Sequence, residues 1–520
     1  MPPLMTMTKS DLRRESGVLL PLFSLPSPYG IGTMGRAARA FLDRLHESGQ
    51  SWWQLLPLGP TGYGDSPYQS LSSQAGNPYL IDLDLLKEEG LLTPEEIGGD
   101  WGSDPAAVDY GLLFQRREQV LAFAWQRLKE PKFATLSQEF AAFCLNSREW
   151  LEDFALYAAL KRVFEHKPWY EWPDPLRCRH GWAIEQARLT YADSIDRQRF
   201  YQFLFFRQWR ALRAYAGKLG VKLMGDLPLY CAWDSADVWA APEQFQLDKA
   251  GQPLAVAGCP PDDFTPEGQL WGNPLYNWED MRCDGFAWWK RRLGCAARLF
   301  DGLRLDHFRG LEAYWSIPRE ADGSMSAADG SWQPGPGEAF MRAMREACPD
   351  TLIIAEDLGF LTPQVHRLRE KAGLPGMKVL EFAFGEEDSA YLPHNHEKNC
   401  VCYAGTHDNP PLLGWIAGAD EEELKLARDY LALPAGGSDR ELAEAVLRAG
   451  FSSVAGLFVL QLQDLLGLGA EARINRPGSD QGNWCWRLVP GQFGEKEVRE
   501  LAHLTQLYGR SGKGGSDGKD

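Results

Sequence analysis

The stretch Gly302-Leu-Arg-Leu-Asp-His-Phe-Arg-Gly310 decides how the rest of the chain is interpreted. Its first half is typical of a short buried strand, and Asp306 stands at the carboxyl end of that strand. Because side chains alternate along a strand, Arg304 and Asp306 share one face while the leucines occupy the other. An isolated Arg-x-Asp is more often a structural ion pair than a functional site, so the interpretation depends on whether similar stretches occur elsewhere.

Two later stretches have the same design. Thr351-Leu-Ile-Ile-Ala-Glu-Asp-Leu-Gly359 is an apolar run that leads to Glu356, and Cys400-Val-Cys-Tyr-Ala-Gly-Thr-His-Asp-Asn409 leads to His407 and Asp408. Near-continuous apolar runs indicate strands buried on both faces, as in parallel sheets. In a (β/α)₈ barrel the carboxyl ends of the strands form one rim, where active sites lie. We therefore expect the three stretches to deliver their carboxylates to one mouth.

Eight such strands alternate with helical patterns along the chain. The predicted fold class is α/β, a (β/α)₈ TIM barrel with large helical and loop insertions between strands and no C-terminal β-sandwich. The predicted strands are 17–22, 51–58, 221–228, 302–306, 351–355, 376–383, 400–404 and 456–464.

The spacing of these strands predicts the domain organisation of the 520 residues. The intervals after strands two and three are too long for simple connections, so each is interpreted as an insertion. The predicted divisions are the start of the barrel (1–84), a helical insertion (85–220), the third strand (221–229), a lid and loop insertion (230–285), the rest of the barrel (286–509) and a disordered Gly/Ser/Lys/Asp tail (510–520).

Composition restricts the class of protein. A net charge of -17 argues against nucleic acid or an anionic membrane surface as partner. The ten cysteines have no paired spacing, which favours reduced thiols in the cytoplasm. The start of the chain has no signal-peptide pattern, and no apolar run approaches the length of a membrane span. We expect a soluble cytoplasmic protein.

Three motifs suggest a cofactor or metal, and we reject each of them. Gly30-Ile-Gly-Thr-Met-Gly35 matches the dinucleotide fingerprint, but a proline-rich loop separates it from its strand and the acidic residue for a ribose is missing. Cys400 and Cys402 share a strand face without further zinc ligands. The histidines and glutamate of residues 394–397 are interpreted as a polar surface loop. No metal and no cofactor are predicted.

Two loops have the composition of a sugar-binding site. The segment 59–70 combines glycine, proline and small polar residues with Tyr63, Asp65 and Tyr68. Sugars stack their C–H faces on aromatic rings and need oriented polar partners for their hydroxyls. A turn stabilised by its own tyrosines explains this segment equally well. The second loop, 260–274, has the size and composition of an active-site lid.

Taken together, these motifs resemble 4-α-glucanotransferases of the amylomaltase (disproportionating enzyme) family, glycoside hydrolase family 77, which are relatives of the α-amylase superfamily. The resemblance extends from Gly17 to Arg487. It is carried by the motifs Gly-Tyr-Gly-Asp-Ser-Pro-Tyr, Gly-Asp-Leu-Pro, Gly-Gln-x-Trp-Gly-Asn-Pro, Arg-Leu-Asp-His-Phe-Arg-Gly, Ala-Glu-Asp-Leu-Gly and Gly-Thr-His-Asp-Asn, which are highly specific only in combination.

The resemblance implies a retaining mechanism with three carboxylates. Asp306 would be the nucleophile, Glu356 the general acid/base and Asp408 a carboxylate that stabilises the transition state. Retaining enzymes place nucleophile and acid about 5–5.5 Å apart. Glu356 has to hold its proton, so we expect a pKa above its free value of ~4.3. The residues implied to bind substrate are Tyr63, Asp65, Asp226, Gln269, Trp271, Asn273, Arg304, His307 and His407.

The implied reaction is transfer of α-1,4-glucan segments from a maltooligosaccharide, or from amylose, starch or glycogen-derived glucan, to the 4-hydroxyl of glucose or a maltodextrin. An α-amylase-type hydrolase and a non-catalytic glucan-binding barrel are the alternatives. Trp233, Cys259 and Pro410-Pro411 depart from the family pattern and bear on acceptor preference. Oligomeric state, minimal acceptor and cycloamylose formation are left open.

Overall fold

The computed structural model describes residues 12–62, 64–261, 267–434, 436–479 and 481–512. Eight parallel strands form a sheet that closes almost completely into a barrel, which confirms the predicted (β/α)₈ fold. Four further strands form a separate antiparallel sheet. In chain order the strands are β1 Glu15–Leu19, β2 Trp52–Gln54, β3 Lys222–Leu227, β4 Ala255–Cys259, β5 Gln269–Pro274, β6 Gly302–Leu305, β7 Ala313–Pro318, β8 Ser331–Pro334, β9 Leu352–Ala355, β10 Gly376–Val379, β11 Cys400–Tyr403 and β12 Leu457–Gln461.

The barrel strands follow the order β10-β11-β12-β1-β2-β3-β6-β9, and each neighbouring pair is parallel. Between the two outermost strands, the backbone N–H of Ala355 donates to the carbonyl of Pro375 at 2.9 Å. All eight strands therefore point the same way round a nearly closed ring. Their carboxyl ends meet at one rim, as expected from the sequence.

Large apolar side chains fill the barrel interior. Trp52, Met224, Ile354 and Val459 are buried there, and the Tyr403 hydroxyl donates at 2.9 Å to the side chain of Gln54. This packed interior makes the barrel a rigid support rather than a pore.

One glycine of the third strand is required by the packing outside the barrel. A Cβ at Gly225 would lie 2.4 Å from the ring of Phe300, so no larger residue fits without movement. The tight contact fixes the strand directly before Asp226.

Helices surround the barrel and fill the long interval between β2 and β3. The division of that interval into a separate subdomain stays a prediction. The α-helices are α1 Arg36–Glu47, α2 Leu83–Glu88, α3 Pro94–Ile97, α4 Tyr110–Leu128, α5 Ala134–Val163, α6 Asp174–Arg177, α7 Gly181–Thr190, α8 Ala192–Leu219, α9 Ala236–Ala240, α10 Trp278–Cys283, α11 Ala287–Leu299, α12 Gly337–Ala347, α13 Pro363–Lys371, α14 Leu412–Gly418, α15 Glu421–Tyr430, α16 Asp439–Ser452, α17 Leu462–Leu466 and α18 Glu495–Leu507.

The helical insertion is bound to the loop that follows β2. On α8, the buried side chain of Gln202 both accepts from the backbone N–H of Gly76 at 2.7 Å and donates to its carbonyl at 2.9 Å. Gln208, two turns further on, makes the same pair of bonds with the backbone of Asp82. Paired bonds to backbone hold this loop in one conformation at the barrel rim.

The antiparallel sheet was missed by the sequence analysis. Its order is β5-β4-β7-β8, so two strands come from the predicted lid region and two from the segment after β6. The region 230–285 is therefore not an irregular loop, because β4 pairs with the distant β7, in a register that joins Ala257 to Ser316. Pairing between segments so far apart leaves no short-range signal in the sequence.

The predicted disordered tail begins too early. Arg510 is fully buried, and its guanidinium donates to the carbonyls of Phe451 at 2.7 Å and of Glu15 and Ser453 at 2.9 Å. A side chain with several backbone partners orders the chain around it. Residues 513–520 lie outside the described residues.

The segments after β12 that the structure describes, 462–479 and 481–512, have the helices α17 and α18 as their main regular elements. Among the described helices, none combines the length and the apolar character needed to cross a membrane.

Candidate active site

A buried ion-pair cluster lies at the carboxyl ends of β3 and β6. Asp226 is level with Arg304 in the register of these strands, and Asp306 follows immediately after β6. The Nη1 of Arg304 lies 2.9 Å from both carboxylate oxygens of Asp226 and 2.9 Å from Asp306 Oδ1. The Arg304 side chain is 4% exposed, whereas that of Asp306 is 28% exposed. One guanidinium thus orients two carboxylates, and only the second is open to a substrate.

Asp306 and Glu356 stand side by side on neighbouring strands. Leu305 pairs with Ala355, so the next residue of each strand lies at the same level, and adjacent strands are about 4.8 Å apart. The backbone also joins them, because the Glu356 N–H donates to the Leu305 carbonyl at 3.1 Å. Two carboxyl groups in this relation can act on one bond from nearby positions, as retaining glycosidases require.

Two backbone N–H groups hold the carboxyl group of Glu356. His307 N donates to Oε2 at 2.7 Å, and Leu358 N donates to Oε1 at 2.9 Å. Burial raises the pKa of Glu356 to about 7; the positive charge of Arg304 opposes this rise and the negative charge of Asp306 adds to it. Glu356 therefore gives up and takes back a proton near neutral pH, which general acid/base catalysis demands.

His307 has a strained backbone between the two carboxylates. Its φ of 51° lies in the left-handed region, which residues other than glycine rarely adopt. The ring packs edge-on against Trp271, with 4.7 Å between centroids. Burial lowers the pKa of His307 to about 4, so its ring is neutral at pH 7. A neutral imidazole next to Asp306 is a hydrogen-bonding group for a sugar hydroxyl.

Tyr68 connects the loop after β2 to the opposite side of the barrel. Its hydroxyl donates to Asp226 Oδ2 at 2.9 Å, and its ring stacks on His407 with 5.0 Å between centroids and 13° between planes. Burial raises the pKa of Tyr68 well above its usual value, so the hydroxyl stays a donor. The structure thus brings Tyr68 to the cluster.

Tyr63, the predicted stacking residue, lies outside the described residues. Its role as a stacking residue stays a prediction. Asp65 is described: its φ is 56°, and burial raises its pKa to about 6. Burial raises the pKa values of Tyr79 and Tyr110, and the negative charge of Asp65 adds to both rises.

Asp408 is held by two residues that sequence analysis missed. The side-chain amide of Asn475 donates to Asp408 Oδ1 at 2.6 Å, and Arg473 Nη2 donates to the Asp408 carbonyl at 2.5 Å. Arg473 also donates to the Asn475 carbonyl at 2.7 Å. The side chain of Asp408 is 43% exposed, and Nε2 of His407 lies 3.4 Å from its Oδ2. The position of Arg473 and Asn475 shortly after the eighth strand is the signal that could have identified them.

The predicted lid residues Gln269, Trp271 and Asn273 lie on β5 of the antiparallel sheet. The indole N–H of Trp271 donates to Gln269 Oε1 at 2.9 Å. Gln69, from the loop after β2, donates to the Asn273 side chain at 3.1 Å and to the Trp271 carbonyl at 3.3 Å. The two loops predicted to bind sugar are therefore joined through Gln69, which sequence analysis did not select.

The rejected metal motifs are used in other ways. His394 Nδ1 lies 3.0 Å from the Tyr430 hydroxyl, and His396 Nε2 lies 2.8 Å from the Tyr391 carbonyl. Within the described residues, no group of three or more His, Cys, Asp or Glu side chains is placed to hold a metal ion.

The chain was compared with known proteins. The family model described as 4-alpha-glucanotransferase, that of glycoside hydrolase family 77, matches residues 20–491. A 4-alpha-glucanotransferase of Thermus thermophilus is 47% identical over 95% of this chain and 99% of its own, and one of Streptococcus pneumoniae is 44% identical over 96% and 98%. The structure of an amylomaltase from Streptococcus agalactiae in complex with acarbose has a TM-score of 0.92 at 39% identity and covers 96% of this chain and 100% of that chain. The chain belongs to the 4-alpha-glucanotransferase family, glycoside hydrolase family 77.

Proposed function

We propose that this protein transfers α-1,4-glucan segments between maltooligosaccharides with retention, using Asp306 as nucleophile and Glu356 as general acid/base. The observation that carries the proposal is the side-by-side placement of Asp306, salt-bridged to Arg304, and Glu356, whose pKa is about 7. These are the two different carboxyl groups that the reaction needs: one that attacks and one that exchanges a proton.

The first step forms a glycosyl-enzyme. A carboxylate oxygen of Asp306 attacks the anomeric carbon of the donor while the bond from that carbon to the glycosidic oxygen breaks. Glu356 gives its proton to that oxygen, so the leaving glucan departs with a neutral 4-hydroxyl. Glu356 is left as a carboxylate, stabilised by the N–H groups of His307 and Leu358.

The second step reverses the first with a new partner. The Glu356 carboxylate takes the proton of an acceptor 4-hydroxyl, whose oxygen attacks the anomeric carbon as the ester bond to Asp306 breaks. Two inversions give net retention, and both carboxyl groups return to their starting states.

The donor sugar at the cleavage point would be surrounded by four side chains. The accessible carboxylates of Asp306 and Asp408 would face it, and His407 stacked on Tyr68 would form one wall. We assign Asp408 the role of stabilising the positive charge that develops on the ring in the oxocarbenium-like transition state. Its bond from Asn475 orients it for that role.

Transfer in place of hydrolysis needs an acceptor site. Water is present at ~55 M, but a bound and aligned acceptor can reach an effective molarity of about 10⁵ M or more. The ring of Trp271 on β5 packs against His307, and its indole N–H donates to Gln269 of the same strand. We propose that Trp271 and Gln269 bind the acceptor and exclude water from the glycosyl-enzyme.

We propose maltooligosaccharides, and amylose, starch or glycogen-derived glucan, as donors, and glucose or maltodextrin as acceptor. We also propose a cytoplasmic location, because the ten cysteines lack the paired spacing of a disulfide framework.

Incubation with maltotriose tests the function. Free glucose and longer maltodextrins at a constant number of reducing ends are expected. Rising reducing ends without longer products would identify a hydrolase, and no change in any product would identify a glucan-binding barrel. An Asp306→Asn variant serves as the matched inactive control, because it keeps the size of the side chain and removes the nucleophile.

A further inference from the structure

An aromatic ring that no step above uses lies close to the catalytic acid. Phe360 follows Glu356 by four residues, after Gly359 with a φ of 77°, and it is 71% exposed. Single exposed apolar side chains are common on protein surfaces and need no explanation by themselves. What distinguishes Phe360 is the way in which its surroundings fix it.

A buried arginine holds the backbone of Phe360. Nη1 of Arg309 donates to the Phe360 carbonyl at 2.9 Å, and Arg309 is 7% exposed. The segment is fixed at its other end as well, because the N–H of Phe308 donates to the Glu356 carbonyl at 3.1 Å. The chain from the acid to Phe360 is thereby attached to the turn Phe308–Leu311, directly after the nucleophile.

The same arginine connects two aromatic rings. Its guanidinium carbon lies 3.8 Å from the ring centroid of Trp332 and 5.6 Å from that of Phe360. A buried cation is costly unless other groups compensate for lost water, and here aromatic faces and carbonyl oxygen do so. Arg309 thus acts as a rigid support between the rings.

Trp332 belongs to the sheet that carries the lid. It lies on β8 opposite Trp315 of β7, with 5.1 Å between ring centroids. Trp271 lies on β5 of that same sheet. Phe360 is therefore connected through Arg309 and Trp332 to the sheet that also carries Trp271, and it lies four residues after Glu356 at the rim.

We propose that Phe360, supported by Arg309 against Trp332, is a specificity-determining residue that stacks on the second or third sugar of an α-1,4-glucan acceptor. This inference rests on the proposed function. A rigid exposed ring binds the C–H face of a sugar with little loss of conformational entropy. Free glucose is too short to reach it when its 4-hydroxyl is at Glu356, whereas a maltooligosaccharide extends across it.

The test compares acceptors in the intact enzyme. Maltosyl fluoride serves as donor, and the acceptor KM is measured separately for glucose and for maltotetraose. In Phe360→Ala, the KM for maltotetraose is expected to rise three- to tenfold more than the KM for glucose, where tenfold corresponds to about 1.4 kcal/mol. In Phe360→Trp, the KM for maltotetraose is expected to stay close to that of the unmodified enzyme. The matched control is Trp182→Ala, which removes an aromatic residue of similar exposure, 66%, on helix α7.

The possible outcomes are distinct. If the KM of Phe360→Ala rose equally for glucose and maltotetraose, or rose for neither, the inference would be overturned while the transfer reaction stayed in place. Absence of transfer to both acceptors by the unmodified enzyme would overturn the proposed function and the inference with it. Thermal unfolding of Phe360→Ala is expected to match the unmodified enzyme, since the lost ring is mostly exposed.

Discussion

Replacing Glu356 with glutamine removes the proton that the first step needs without changing the size of the side chain. With maltotriose, whose leaving oxygen must be protonated, kcat is expected to fall by about 10²- to 10⁴-fold, the usual contribution of a general acid. With maltosyl fluoride no protonation is needed, because fluoride is a good leaving group. Glu356→Gln should therefore still form the glycosyl-enzyme on Asp306.

The second step of Glu356→Gln lacks its base, so the glycosyl-enzyme should accumulate. One equivalent of fluoride released in a burst, with the mass of one maltosyl group added to the peptide that contains Asp306, is the expected result. Loss of the burst together with maltotriose activity would refute the assignment of Glu356 as acid/base. A burst of fluoride without a covalent adduct on Asp306 would refute the assignment of Asp306 as nucleophile.

The raised pKa of Glu356 also predicts how Glu356→Gln changes the pH dependence of the unfolding free energy. Glu356 has an ordinary pKa of 4.5 and a pKa of about 7 in the folded protein. The unfolded chain therefore releases this proton first as pH rises, and the wild type loses about 3 kcal/mol of unfolding free energy between pH 4 and pH 8 from this group. The stabilisation from the Glu356 proton is fully present below pH 4.5, and it is lost as the pH rises from 4.5 through about 7.

Glutamine carries no titrating proton, so Glu356→Gln should gain stability relative to the wild type as pH rises. Denaturant unfolding at pH 4.5 and pH 8.5 measures the difference in unfolding free energy between the two proteins, in which groups that do not interact with Glu356 cancel. A difference that stays constant with pH would contradict the raised pKa. The activity of the wild type on maltotriose should likewise fall as pH rises above about 7, because the acid is then ionised.

Three further substitutions test the rest of the site. Tyr68→Phe removes the bond to buried Asp226, so the unfolding free energy should fall by about 1.5–3 kcal/mol and the donor KM should rise. Asn475→Ala frees the Asp408 carboxylate, and kcat/KM for maltotriose should fall by about tenfold to a hundredfold. Trp271→Ala should lower transfer more than hydrolysis in a product assay, because water does not depend on the acceptor site.

Each of these expectations has a contrary result. Unchanged stability of Tyr68→Phe in denaturant would mean that water replaces the lost hydroxyl at Asp226. Wild-type kinetics of Asn475→Ala would mean that Asp408 is oriented without that amide. Equal loss of transfer and hydrolysis in Trp271→Ala would mean that Trp271 does not contribute to acceptor binding.

The sequence was sufficient for the barrel because its signals are local. An apolar run of four to six residues that ends in polar groups indicates a buried parallel strand wherever it occurs. The run before Asp306 and the run before Glu356 became the adjacent strands β6 and β9. Strand boundaries differ by a few residues, since hydrogen-bonded pairing ends before the apolar pattern does.

Local signals could not select among residues that meet only after folding. Tyr68 and Asp226 are separated by 158 residues, and Asp408 and Asn475 by 67. The antiparallel sheet joins segments from both sides of β6, and Arg510 finds its partners at the other end of the chain. No periodicity within one segment records such a pairing.

The sequence by itself determined the eight strands, the rim on which the carboxylates stand and the family. Tertiary structure alone decided that Tyr68 contacts Asp226, which residues orient Asp408, and which arginine supports Phe360. The physical reason is that strand formation follows from alternation and burial over a few neighbouring residues. The chemistry of the site depends instead on hydrogen bonds and ring contacts between strands and loops, and these distances exist only once the barrel has closed.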